Sequence, residues 1–204
     1  MVVCSRLLLL VILFVGRPTE LLAIQFDGQF LFGQRRMIVS VPEAKSQTLD
    51  SEEVSINIHY YNDKFLPWGL GLSYGLTHLD SGNLEGISGL SARGGILESK
   101  VRLAQIEAWS LEAFLGYRFF HRFLAYIKMR GVLQAQMVLE FEASAASKND
   151  FSGHQYSLGM KYLLVPISSL LAEIGVADNK IKLIDGGERS LKSYVVLFGF
   201  ELLN

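Results

Sequence analysis

The stretch SYVVLFGFELLN, Ser193 to Asn204, decides how the rest of the chain is read. Side chains of an extended strand alternate between two faces. Tyr194, Val196, Phe198, Phe200 and Leu202 therefore share one face, which is bulky and uncharged. Val195, Leu197, Gly199 and Glu201 share the other, which holds a glycine and a carboxylate. Such a strand either half-buries in a soluble protein or turns its apolar face to lipid and its polar face to a lumen. The other strands decide between the two.

The same alternation recurs along the chain. Ile24 to Gly33 sets Phe26, Phe30 and Phe32 against Asp27 and Gln29. Glu53 to Tyr61 sets Val54, Ile56, Ile58 and Tyr60 against Ser55, Asn57 and His59. Leu66 to His78 sets Trp68, Leu70, Leu72, Tyr74 and Leu76 against Gly69, Gly71, Ser73, Gly75 and Thr77. Small residues on one face leave room for large neighbours across a narrow interior. Lys100 to Phe119 sets Trp109, Leu111, Ala113, Leu115, Tyr117 and Phe119 against Ser110, Glu112, Gly116 and Arg118.

The fifth strand, Phe123 to Glu142, is expected to hold one register throughout. It sets Ile127, Met129, Gly131, Leu133, Ala135, Met137, Leu139 and Phe141 against Lys128, Arg130, Gln134, Gln136, Glu140 and Glu142. A helix would scatter those charges around its axis. Tyr156 to Leu164 puts Tyr156, Leu158, Met160 and Tyr162 opposite Ser157, Gly159 and Lys161. Leu170, Ala172, Ile174 and Val176 oppose Glu173 and Gly175, although a short helix over 168–176 also fits those residues. The connections alternate, with tight turns at Asn62–Lys64, Phe120–Arg122 and Pro166–Ser168. Long loops are expected over Gln34–Glu52, Leu79–Ser99, Ala143–Ser152 and Ala177–Ser190.

Composition supports the lipid-facing reading. The 204 residues are 50% hydrophobic and only 19% charged, with a formal charge of -1. Mean hydropathy is +0.29, yet no run of about 18 apolar residues offers a helical span. The near-zero charge supplies no field for nucleic acid. Met1 to Ala23 reads as a secretory signal peptide: Arg6, then an apolar run from Leu7 to Val15, then Pro18. The barrel domain is then 24–204 and contains no cysteine, since Cys4 is the sole one. A disulfide framework or thiolate metal site in it is excluded.

Eight antiparallel strands with alternating short and long connections form an up-and-down sheet that can close on itself. The fold class is therefore all-β, an eight-stranded antiparallel up-and-down transmembrane β-barrel. Asp27, Glu112, Arg118, Lys128, Arg130, Lys161, Glu173 and Glu201 all face inward on this reading and form a lumen ion-pair network. Glu112 is expected opposite Arg130, within reach of Lys128, if the hairpin centres on His121. An eight-stranded interior is just wide enough for side chains to fill, so these charges read as a plug. Tyr60, Phe65, Trp68, Tyr117, Phe119, Phe123 and Tyr162 gather beside the short turns as an aromatic girdle.

The chain resembles the small eight-stranded bacterial outer-membrane barrels, such as the membrane domain of outer membrane protein A and the related X and W types. The closing strand YVVLFGFEL is similar to their C-terminal assembly signal, with Phe198, Phe200 and Leu202 as its alternating apolar residues. That family often ends on an aromatic residue, whereas here Leu203 and Asn204 follow. The resemblance implies a bacterial outer-membrane location, lipids and the barrel assembly machinery as partners, and long loops outside the cell that could take a surface partner.

A structural or surface-recognition role without catalysis or cofactor follows, with a small pore as an alternative. A rival is a lipid-modifying enzyme, because some similar barrels transfer palmitoyl groups using His, Asp and Ser at the outer rim. His78, Asp80 and Ser81 lie together where the third strand meets its outer loop, though Asp-Ser in a glycine-rich loop is ordinary turn chemistry. His59, His78, His121 and His154 have no metal-ligand spacing.

Overall fold

The computed structural model describes residues 25–39, 47–62, 66–80, 101–141, 147–182 and 188–203. The signal-peptide reading of 1–23, girdle residue Phe65 and the outer-loop Ser81 lie outside these residues. Eight strands follow one another: β1 (Gln25–Val39), β2 (Gln47–Asn62), β3 (Trp68–Leu79), β4 (Val101–Phe119), β5 (Phe123–Phe141), β6 (Ser147–Val165), β7 (Ser168–Lys182) and β8 (Glu188–Leu203). Each pairs antiparallel with its sequence neighbour, and β1 pairs with β8 to close the barrel. Closure leaves no free sheet edge along the paired strands.

The outer wall decides the solvent. One large apolar side chain from every strand, Phe32, Ile58, Leu70, Leu111, Ile127, Leu158, Ile174 and Phe198, stands outside with 40–60% of its surface exposed. A water-soluble barrel would bury these residues, so the wall faces lipid. At the short-turn end this band meets Tyr60 packed on Trp68 at 5.5 Å and Phe123 between Phe119 and Tyr162 at 6.1 and 4.7 Å. At the other end it meets a second aromatic ring that the sequence reading did not identify. Tyr74 lies 5.0 Å from Trp109 there, with Tyr156 and Tyr194 on neighbouring strands.

Four expectations need correction, and one cause underlies three of them. The strands of 12 to 19 residues exceed the roughly 9–11 needed to cross a bilayer. Residues taken for loop, including Gln34–Val39, Gln47–Glu52, Ser147–Ser152, Ala177–Lys182 and Glu188–Ser190, are strand instead. They read as loop because their outward faces are polar, so the apolar alternation of the membrane strands is reversed there. In this collar the polarity of the wall inverts. Arg36, Asp50, Glu52, His78, Glu107, Asp178 and Lys192 are exposed outside, while Met37, Leu49, Leu79, Ile106, Met137, Ile181 and Leu191 are packed inside.

The collar also breaks the register expected for β5. Ser110 pairs with Val132 but Trp109 pairs with Gln134, so Leu133 is an extra residue in a β-bulge. Beyond it Ala135 and Met137 point inward and are buried, and Gln134 points outward. The segment 168–176 is strand throughout rather than helix, because its alternation completes the wall between β6 and β8.

Candidate functional site

The inside of the barrel carries the chemistry. Gly69 and Gly71 of β3 give it room: a Cβ at Gly69 would lie 2.2 Å from the Phe114 ring, and one at Gly71 would lie 2.3 Å from both His59 and the Ile58 carbonyl. Large inward groups of β2 and β4 therefore pack where β3 offers only backbone.

Ion pairs run through the interior as one connected set. Arg130 Nε donates to Glu112 Oε1 at 2.5 Å, and its Nη1 donates to Glu53 Oε1 at 3.0 Å across the lumen. Arg35 donates from Nε to Glu53 Oε2 and from Nη2 to Gln155 Oε1, both at 2.8 Å. Lys128 Nζ lies 2.5 Å from Glu173 and 3.8 Å from Glu112. The Tyr126 hydroxyl donates to the same Glu173 oxygen at 2.7 Å. Lys161 pairs with Glu201, stands 3.8 Å from Asp27 and rests its ammonium 4.7 Å over the Tyr61 ring. Gln29 Nε2 donates to Glu201 at 3.0 Å.

His59 joins the two halves of this set. Its Nδ1 lies 2.9 Å from Asp27 and its Nε2 lies 2.7 Å from Glu112, with the side chain fully buried. Two carboxylates facing both ring nitrogens suit an imidazolium, which alone donates from each. Among the described residues, the buried anions Asp27, Glu53, Glu112, Glu173 and Glu201 then meet the buried cations Arg35, His59, Lys128, Arg130 and Lys161 one for one. Such balance matters because an unpaired charge in this interior would be costly.

Of the eight residues assigned to the network from sequence, the structure brings seven together. Arg118 is the eighth. It sits exposed at the short-turn mouth, where its Nη2 donates to the Tyr61 hydroxyl at 3.3 Å. Arg35, Glu53 and His59 were missed as network members. Arg35 and Glu53 sit at the margins of the first two assigned strands, and continuing the alternation of Asp27–Gln29–Leu31 would have put Arg35 inside. Phe114 was missed too, as the inward residue between Glu112 and Gly116; it stacks at 5.7 Å on Tyr61. Glu142 lies outside the described residues, and the side chain of Glu140 is not described.

Two apolar layers accompany the charges. The collar cluster of Met37, Leu49, Leu79, Ile106, Met137 and neighbours lies toward the far end. Leu31, Tyr61, Phe114, Leu124, Tyr126, Leu171, Val195 and Leu197 pack among and below the ion pairs. At the outer rim His78 and Asp80 are exposed, with His78 opposite Glu52 in the β2–β3 register.

No protein-family model matches the chain, and no curated protein matches it in sequence. Among solved structures it is similar to Neisserial surface protein A (NspA), with a TM-score of 0.55 at 14% identity, covering 87% of this chain and 96% of that one. It is also similar to the outer membrane protein OprG from Pseudomonas aeruginosa, with a TM-score of 0.51 at 12% identity, covering 89% and 96%. The fold is that of a small outer-membrane β-barrel. Identity this low carries the architecture and no activity. An eight-stranded interior is about wide enough for side chains to fill or for one small ligand. The lipid band, the two aromatic rings and the polar collar set its level in a bilayer.

Proposed function

We propose that the protein resides in the bacterial outer membrane as a plugged barrel, with a structural or surface-recognition role carried by its outer connections. The observation behind this reading is the unbroken chain of hydrogen bonds and ion pairs from Gln155 through Arg35, Glu53, Arg130, Glu112, His59 and Asp27 to Lys161 and Glu201. It fills the lumen with paired charges and leaves the connections between strands as the part free to vary. On this reading 1–23 is removed as a signal peptide, and the assembly machinery reads the closing strand, whose Phe198, Phe200 and Leu202 face lipid. Outer-membrane lipids surround the band, a surface partner meets the connections 40–46, 80–100, 142–146 and 183–187, and neither catalysis, cofactor nor nucleic acid is involved.

Single-channel recording on purified protein in planar bilayers tests the plug, and epitope tags on intact cells test the orientation. The reading expects a silent membrane, tags in 40–46 or 183–187 that antibodies reach, and a tag at His121 that they do not. Steady wild-type conductance would replace the plug with a pore. Tags accessible in the opposite pattern would reverse the orientation.

A further inference from the structure

The β-bulge in β5 does more than turn side chains over. Between β5 and β6 the ladder passes from the pair Gly131–His154 directly to Ala135–Phe151. Val132 to Gln134 on one strand and Ser152–Gly153 on the other have no partners across that seam. Directly inside lies a chamber of about 40 Å³, between the ionic network and the apolar collar. About 10–15 Å³ is enough for one water, so this space holds several small particles. His154 lines it as well, although its side chain stands outside the wall and packs on Tyr156 at 5.3 Å. The irregular stretch borders the chamber, since Val132, unpaired across that seam, lines it together with His154. The bulge stands level with the outer aromatic ring through the Trp109–Gln134 pair.

The chamber's chemistry is one-sided. Arg35 and Arg130 line it together and share one carboxylate there, Glu53, and Ser73, Thr77 and Ser110 also line it. Arg130 uses Nε on Glu112 and Nη1 on Glu53, and its buried Nη2 has no hydrogen-bond partner. A guanidinium is weakly hydrated and donates strongly to anions. We propose that this chamber is a site for one small inorganic anion of halide size, held on Arg130 Nη2 and reached from the outer membrane surface through the β5–β6 seam. The volume excludes a phosphate ester or an organic acid of several carbons. The route is separate from the lumen axis, so a barrel that conducts nothing can still load this site.

Bromide is the probe, because its anomalous scattering separates it from water. Crystals of the whole barrel briefly soaked in bromide should show an anomalous peak within hydrogen-bond reach of Arg130 Nη2. In solution, the wild-type thermal midpoint should rise when bromide replaces gluconate at equal ionic strength, since a ligand bound only to the folded state stabilises it. Ala108→Leu fills the chamber without removing a charged group and should abolish both effects. A variant lacking Leu133 restores regular pairing to β4 and β6 and should take up bromide at least tenfold more slowly. If that variant does not fold, Gln134→Trp keeps the bulge and sets a ring over its mouth, with the same expectation. Water alone in the chamber of a bromide-soaked crystal, or bromide only elsewhere, overturns the anion site. Uptake at the wild-type rate in the seam variants overturns the route.

Discussion

Glu112 is the side chain on which most of the interior converges. It accepts from Arg130 and His59 and lies 3.8 Å from Lys128. Glu112→Gln removes the shared anion and leaves these cations short of a partner, which should cost about 3–5 kcal/mol in a site this buried. Unfolding of the purified barrel in detergent, followed by gel mobility against temperature, measures it; an unchanged midpoint would mean that water enters and screens the site. The exposed Arg36–Asp50 pair at 2.8 Å is the contrast. Arg36→Ala should leave the midpoint where it is, because solvent screens such pairs. Gly71 tests packing instead of charge. A methyl group there meets the Ile58 carbonyl and the His59 ring, so Gly71→Ala should cost about 1–3 kcal/mol by overpacking.

Along a single strand the polarity of the wall changes with height, and β6 shows it within a few residues. Tyr162 and Tyr156 bracket Leu158, which faces lipid, while Ser152 faces outward beyond the upper ring. Leu158→Arg should therefore destabilise the barrel by about 2–4 kcal/mol in a bilayer. Ser152→Arg on the same face should change little. Titrating the folded fraction of both variants in lipid vesicles checks this. Equal effects would mean that the band ends elsewhere. The bulge at Leu133 belongs to the same change of level: without it, the residues after Val132 would present Gln134 and Gln136 inward and Ala135 and Met137 to water.

Taken together, the molecule stacks two barrels of opposite polarity in one wall. In the membrane its outside is apolar and its inside ionic; in the collar its outside is charged and its inside is Met37, Leu49, Leu79, Ile106 and Met137. The collar interior has the character of a soluble protein's core, and on the plugged reading proposed above it closes the ionic lumen. Substituting Leu79→Ser and Met137→Ser together should loosen this closure and lower the thermal midpoint while leaving a β-rich circular dichroism spectrum. A spectrum that turns helical or disordered would show that the collar is needed to form the barrel, not only to close it.

The amino-acid sequence by itself determined the membrane-spanning part. Period-two alternation is local, so Phe198–Phe200–Leu202, or Lys128–Arg130 opposite Ile127–Met129, state their faces without any partner in view. The Glu112–Arg130 juxtaposition was legible because a tight turn at 120–122 fixes the hairpin register by counting. Only the tertiary structure placed Glu53 against Arg130, or His59 against Glu112, because those contacts join strands that are not consecutive and depend on how the closed barrel staggers them. The collar was hidden for a different reason. Its strands reverse the hydrophobic code at the lipid boundary, and one extra residue, Leu133, reverses the facing of everything after it on β5. A reading that assumes a single solvent and an unbroken register cannot see either change, since both arise from where the wall leaves the bilayer.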